Sequence, residues 1–309
     1  MIVLIMPMAR PAYAAEGSAP FGYGVFGAIE DYFANWYVRS DAAKASQPHW
    51  MTPLVTIAPL LQQEVRYDQF WDRTSSSMFS PCGGLPCGCV VGKKLHCPEV
   101  PEPYTLTTDN FGGGKGLELI PEEHTEIIVG MPAFLKRSSP RNTDGFGDLS
   151  YLVKLRLLSG NEQHGNYIVT AFMGFTVPTG SKVNGAGHAT FTPTIAAGKG
   201  FGDFDVQSTL GVTFPSGGLD RLGMPLGWNT IFQYHAWRYF WPEIETNYTW
   251  FSYGEKTGHN QLFLTPGILI GRIPINDRLG IVIGTGDMIA VTRYRTMNSR
   301  WIVTARLLF

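Results

Sequence analysis

The sequence predicts an all-β protein: a transmembrane, antiparallel, up-and-down β-barrel of about twelve strands, with a short N-terminal segment that can be helical. Three observations predict it. Apolar and polar residues alternate with a period of two over segments of roughly 10–13 residues, near the ~9–11 that a tilted strand needs to cross a bilayer and beyond the ~5–6 usual in soluble sheets. Aromatics crowd the segment ends, among them Trp71, Tyr151, Trp228, Phe240, Trp241, Trp250 and Trp301, as in the girdles at two membrane interfaces. Short and long connections also alternate along the chain, which is the layout of an outer-membrane barrel.

Composition narrows the class further. Of 309 residues, 16% are charged, against roughly 25% in ordinary soluble domains, while 13% are aromatic and 36 are glycine. A formal net charge of -1 gives no electrostatic reason to expect nucleic acid as a partner. No stretch reaches the ~18 apolar residues of a membrane helix. Residues 1–14 read as part of a secretory signal peptide: a short apolar run is followed by the small-residue pattern Ala12-Tyr13-Ala14. No positive charge precedes that run, as expected if the leader starts upstream of Met1; the other reading is an apolar tail without order. An exported chain of this kind belongs in the outer membrane of a Gram-negative cell.

Residues 15–57 form a distinct N-terminal segment, placed either in the periplasm or as a plug in the barrel. "GAIEDYFANWYVRSDAAKAS" suits a short helix, and "QPHWMTP" breaks it. Its aromatics Phe21, Tyr23, Phe26, Tyr32, Phe33, Trp36 and Tyr37 could close the lumen from the periplasmic side or meet a partner there. The barrel spans 58–309, and the expected strands are 58–71, 115–121, 125–137, 148–159, 166–178, 190–199, 203–215, 227–239, 243–253, 260–272, 278–290 and 300–309. The connections "EEH", "GNEQHG", "KGFG", "FWPE" and "PIND" are short. The intervening ones are long, and the longest, 72–114, is a Cys-containing extracellular insert.

The segments "GLELIPEEHTEIIVGMPAF", "GFGDLSYLVKLRLL", "GFTVPTG", "GKGFGDFDVQSTLGVTFP" and "LTPGILIGRI" resemble the outer-membrane proteins grouped as the MetA pathway of phenol degradation, over roughly residues 55–309. The resemblance implies a small β-barrel that passes hydrophobic or aromatic compounds, and it brings no catalytic residues and no cofactor. The aromatic segment 15–57 and the Cys insert depart from that pattern.

Four groups of residues are candidates for chemistry. Cys82, Cys87, Cys89 and Cys97 lie within one stretch of the insert, and an oxidising compartment favours two disulfides, with the connectivity open. A metal site is the alternative, but the spacing lacks the paired CxxC of common zinc sites. The polar faces of the strands place Glu64, Arg66, Asp68, Glu118, Asp148, Lys154, Arg156, Asp203, Asp205, Glu245, Arg300 and Arg306 in the lumen. There they either hold a narrow barrel closed through ion pairs or select what passes. Gly130, Pro132, Pro178, Pro266 and Gly267 fall within strand patterns, where they mark bulges or a lateral opening. The last strand, "RWIVTARLLF", ends on Phe309, a terminal aromatic of the kind that signals assembly. No nucleophile elbow, HExxH or Walker loop is present, and His235 reads as a packed mid-strand histidine beside Asn229 and Gln233 rather than a catalytic one.

The expected function is therefore not enzymatic. It is passive movement of small hydrophobic or aromatic molecules through an outer-membrane channel. The expected partners are outer-membrane lipid, the barrel assembly machinery and the solute, with the oligomeric state open. The alternatives are a non-transporting barrel that anchors its stapled loop, and a lipid-modifying outer-membrane enzyme.

Overall fold

The computed structural model describes residues 21–75, 105–138, 143–181 and 183–309. The four cysteines and the leader lie outside the described residues, as do the side chains of Phe21, Tyr23 and Phe26. The chain separates into two compact units, Met1–Val38 and Arg39–Phe309. The first carries helix α1 (Phe21–Ala34) and the start of α2 (Trp36–Ala45). There Tyr32 meets Phe33 and Trp36 edge-on at 5.5 and 5.8 Å, while Phe33 stacks on Trp36 at 6.2 Å.

The second unit is a closed antiparallel barrel. Its strands in chain order are β1 (Glu64–Ser75), β2 (Thr105–Phe111), β3 (Leu117–Glu122), β4 (Thr125–Gly130), β5 (Phe134–Arg137), β6 (Gly145–Phe146), β7 (Leu149–Gly160), β8 (Tyr167–Val177) and β9 (Thr190–Phe201). They continue as β10 (Phe204–Val212), β11 (Phe214–Pro215), β12 (Pro225–Tyr234), β13 (Phe240–Phe251), β14 (Asn260–Pro274), β15 (Gly280–Ala290) and β16 (Ser299–Leu308). Twelve of these form the ring, in the order β1, β3, β4, β7, β8, β9, β10, β12, β13, β14, β15, β16. The ring closes where β16 pairs with β1, from Glu64↔Leu308 to Arg73↔Ser299. Closure leaves the wall without an open edge.

The four remaining strands prolong wall strands past local breaks. β2 rides on the upper half of β1, β5 on β2, and β6 on β5, while β11 returns to β9. The predicted strands 125–137 and 203–215 are thus each interrupted, the first at Met131-Pro132-Ala133 and the second at Thr213. Between β2 and β3 the run Gly112–Gly116 holds an extra loop of chain. Arg66 N–H bonds Gly116 O at 2.7 Å and Gly112 N–H bonds Asp68 O at 3.1 Å, so Gly113, Gly114 and Lys115 all stand opposite Tyr67. Such a bulge needs positive φ, supplied by Gly112 (76°), Gly114 (123°) and Gly116 (71°). Its result is to turn Lys115 into the interior. A second bulge lies between Arg156 and Leu158 of β7, and it leaves Leu157 and Leu158 both exposed while Ser159 returns inward.

Along the ring the alternation follows the sequence pattern. On β16, Trp301, Val303, Ala305 and Leu307 are exposed, whereas Ile302, Thr304 and Arg306 are buried. Further expectations change. The first strand begins at Glu64 rather than 58, because the backbone of 59–62 is bonded by side chains instead of a neighbouring strand. Trp241 does not join the outer girdle: it faces inward, stacks on His235 at 4.0 Å and packs with Leu54.

Gly116→Val tests the bulge, since a Cβ there would fall on the Val129 carbonyl and the residue would keep a positive φ. We expect a loss of more than about 1 kcal/mol, read as a lower urea midpoint in detergent. Gly227→Ala, where a Cβ meets nothing within 4 Å, should leave the midpoint unchanged.

Candidate functional site: a braced lumen and its two cavities

The segment 46–63, "SQPHWMTPLVTIAPLLQQ", contains no Asp, Glu, Lys or Arg and three prolines. It enters the barrel from the short-turn end, turns at Leu54–Thr56 and runs back to Glu64. It has no strand pairing and no helix, yet Trp50, Met51, Leu54, Leu60 and Leu61 are buried. Its peptide groups must therefore find partners elsewhere, or cost roughly 1–3 kcal/mol each.

The wall supplies them with charged side chains. At the turn, Glu243 accepts from Leu54 N–H at 2.9 Å, and Glu245 accepts from Val55 and Thr56 N–H at 2.7 and 2.8 Å. Glu126 accepts from Gln62 N–H at 2.6 Å. The carbonyls are met by cations: Arg66 and Arg306 both donate to Pro53 O, at 3.1 and 3.0 Å, and Arg306 also to Thr52 O at 2.6 Å. Arg66 further donates to Leu54 O. Lys115 donates to Thr56 O at 2.9 Å, Lys154 to Leu60 O at 2.9 Å, Arg156 to Ala43 O at 2.6 Å and Arg272 to Trp50 O at 3.0 Å. The two limbs of the hairpin are tied by Gln47, which donates to Leu61 O at 2.8 Å and accepts from Leu61 N–H at 2.9 Å.

Apolar contacts fix the same segment. Leu54 sits where Gly267, Gly284 and Gly286 have no side chain, and Trp50 lies against Gly198 and Gly200. Gly267, read from sequence as marking a bulge or a lateral opening, is a socket for Leu54. At the short-turn end Glu162 accepts from His49 N–H at 2.7 Å and meets its ring Nδ1 at 2.9 Å. Burial works to raise the Glu162 carboxyl, but these His49 contacts outweigh it and hold the group below its ordinary range.

The sequence-derived lumen set divides. Glu64, Arg66, Asp68, Glu118, Lys154, Arg156, Asp205, Glu245 and Arg306 are buried. Arg66 pairs with Asp68 at 2.8 Å and Lys154 with Glu126 at 2.9 Å. Arg300, half-buried near the other end, pairs with Asp72 through bonds of 2.5 and 2.8 Å. Asp148 precedes β7 and accepts from Gly180 and Ala186 N–H at 2.9 and 2.7 Å, organising a loop. Asp203 is exposed in the tight turn between β9 and β10, so its parity with Asp205 is lost at the strand end. His235 likewise lies just past β12 rather than mid-strand. Lys115, Glu126, Glu243 and Arg272 were not selected from sequence; Glu126 and Glu243 share the parity of Ile128 and Glu245, which is the signal that could have found them.

The hairpin reaches only part of the way, and two cavities lie beyond its turn. One, of about 440 Å³, is lined by Val55 and Ile57 of the hairpin and by wall residues including Leu152, Phe172, Thr192 and Thr194. Two glycines, Gly174 and Gly227, leave open space in its wall. The other, of about 480 Å³, is more polar and includes Asp72, Arg300, Arg137, Asn247 and Gln261. The two adjoin where Asn247 donates to Asn229 Oδ1 at 3.2 Å and to Thr56 Oγ1 at 3.0 Å.

No family model matches the chain, and no curated protein matches it. Among solved structures, an outer membrane channel from Pseudomonas putida F1 is similar with a TM-score of 0.53 and 14% identity, over 82% of this chain and 97% of that one. At that identity the likeness is one of fold, and it agrees with the closed twelve-stranded ring.

Two outcomes test the bracing. Glu245→Gln leaves one acceptor oxygen for two N–H groups, so the amides of Val55 and Thr56 should lose protection from hydrogen exchange by roughly tenfold or more, consistent with ~1–3 kcal/mol. The Glu162 contact has a depressed folded-state pKa, so its contribution is present above the unfolded value and is lost as pH falls through the folded one. Limited proteolysis around His49 should accelerate in acid, and Glu162→Gln should remove that pH dependence.

Proposed function

We propose that the protein is an outer-membrane channel for passive passage of small, hydrophobic or aromatic molecules. The observation that carries this reading is the cavity of about 440 Å³ walled by Leu152, Phe172, Val55 and Ile57 and widened by inward glycines, inside a barrel whose outer face is a band of exposed apolar residues. That face carries Val65, Tyr67, Val153, Leu155, Ile195, Ile244, Ile283 and Val303, with Trp71, Trp228, Trp250 and Trp301 towards the long-loop end and Tyr167, Phe201, Phe204, Tyr234 and Phe240 towards the short-turn end. An apolar band with aromatic rims suits lipid rather than water. The similar fold of a known outer membrane channel supports the same reading. Short turns then face the periplasm, and the neutral hairpin acts as a stopper on that side that yields for passage.

Gly174 and Gly227 provide the test, because a Cβ at Gly174 comes no nearer than 3.6 Å to a neighbour and one at Gly227 meets nothing within 4 Å. Full-length protein should raise naphthalene uptake by intact Gram-negative cells. Gly174→Leu and Gly227→Leu, which fill the cavity, should cut that gain by about tenfold. Uptake no faster than in cells without the protein, with a heat-modifiable folded barrel present, would remove the reading.

A further inference from the structure

We infer that the long-loop half of the lumen selects small organic anions with an aromatic or alkyl body; this rests on the channel reading above. The argument is one of which charges remain free. Most lumen acids are turned to the hairpin or to neighbouring cations; Asp205 instead accepts from Gln207 at 2.9 Å, and Glu64 faces Glu118 across β1 and β3, but none of these three lines either cavity. Glu243 accepts from Leu54 N–H and from Gln233 at 2.6 Å, Glu245 from Val55 and Thr56, Glu126 from Gln62 and Lys154, and Asp68 from Arg66. Nearer the mouth, Asp148 is held by two amides. None of these carboxylates lines either cavity.

The cations are distributed differently. Among the described residues, the first cavity has Lys115 as its one charged lining residue, and the second has Asp72, Arg137 and Arg300. Arg300 and Asp72 cancel, and Arg300 also lies 4.9 Å from the centre of the Phe70 ring. Among the described residues, Arg137 and Lys115 form no ion pair. The Nε of Arg137 donates to Asn184 Oδ1 at 2.9 Å, and Lys115 Nζ donates to Thr56 O at 2.9 Å. The described lining therefore carries two basic side chains outside any ion pair, one per cavity, beside Phe172, Leu152 and the hydroxyls of Thr192 and Thr194. Cations set on one side of a confined lumen raise the local concentration of anions, and an arginine fork suits a carboxylate or sulfonate.

A salt whose two ions share a phenyl ring isolates charge from body. Full-length protein in a planar bilayer, under a concentration gradient of phenyltrimethylammonium benzenesulfonate, should show a reversal potential in which the anion permeates at least about fivefold better, as ~1 kcal/mol would give. The double variant Arg137→Gln/Lys115→Gln, whose amide at 115 can still donate to Thr56, should bring the ratio near unity. Lys136→Gln, on the exposed face of β5, should leave the ratio as it was. Equal permeation or a cation preference in the unaltered protein, or a preference that survives the double variant, overturns the inference while the channel stands. No conductance by either ion from a folded barrel overturns the channel reading and this one with it.

Discussion

Everything inside this barrel follows from one requirement: a stretch of backbone without helix or sheet is buried, so each of its peptide groups needs a partner from somewhere else. Segment 46–63 brings few, Gln47 serving Leu61 alone, and has no ionisable side chain other than His49. The wall therefore carries the charges, with Glu126, Glu243 and Glu245 facing N–H groups and Arg66, Lys154 and Arg306 facing carbonyls. Hydrogen bonds to charged groups are roughly twice as strong as neutral ones, and a charge left without its peptide partner is costly. The hairpin and the polar lining thus hold each other in place. Lining charges that read as a permeation path or as mutual ion pairs are mainly the hydrogen-bonding complement of a neutral strand of chain.

Several local oddities become consequences of that fit. The glycine bulge ahead of β3 turns Lys115 inward to reach Thr56, which no regular register would permit. Gly267, Gly284 and Gly286 leave space for Leu54, and Gly198 and Gly200 for Trp50. Proline at 48, 53 and 59 removes three donors that the wall would otherwise have to satisfy. Beyond the turn no hairpin side chain fills the interior, and glycines at the same level leave open volume instead of a socket.

The wall was legible in the sequence because lipid and lumen impose opposite chemistry on successive residues, and a period of two survives in strands such as β16 and β10. The ring of twelve and the alternation of turns and loops follow from that. The hairpin was not legible as such. "APLLQQ" continues the apolar content of a strand, and its wall partners Glu126, Lys154 and Thr170 are more than sixty residues away, so residues 58–63 read as the beginning of β1. Parity also fails at strand ends, which is why Asp203 looked equivalent to Asp205, and at bulges, which is why Lys115 went unnoticed. Trp241 read as an interfacial aromatic because sequence places it beside Phe240, yet the strand's alternation turns the two to opposite faces.

The Pro53 carbonyl has an implication for the order in which the molecule comes together. Its two donors, Arg66 and Arg306, sit opposite each other across the β1–β16 junction. They belong to the first and last strands of the ring, so this oxygen gains both bonds only once the two extremes of the barrel have met. Two like charges brought face to face would repel; a shared acceptor from the interior, with Asp68 beside it, removes that penalty. The hairpin is thus a latch that only a finished circle can set, and the circle is easier to finish with the latch present. The closed β1–β16 junction and the seated hairpin stabilise each other at this one oxygen.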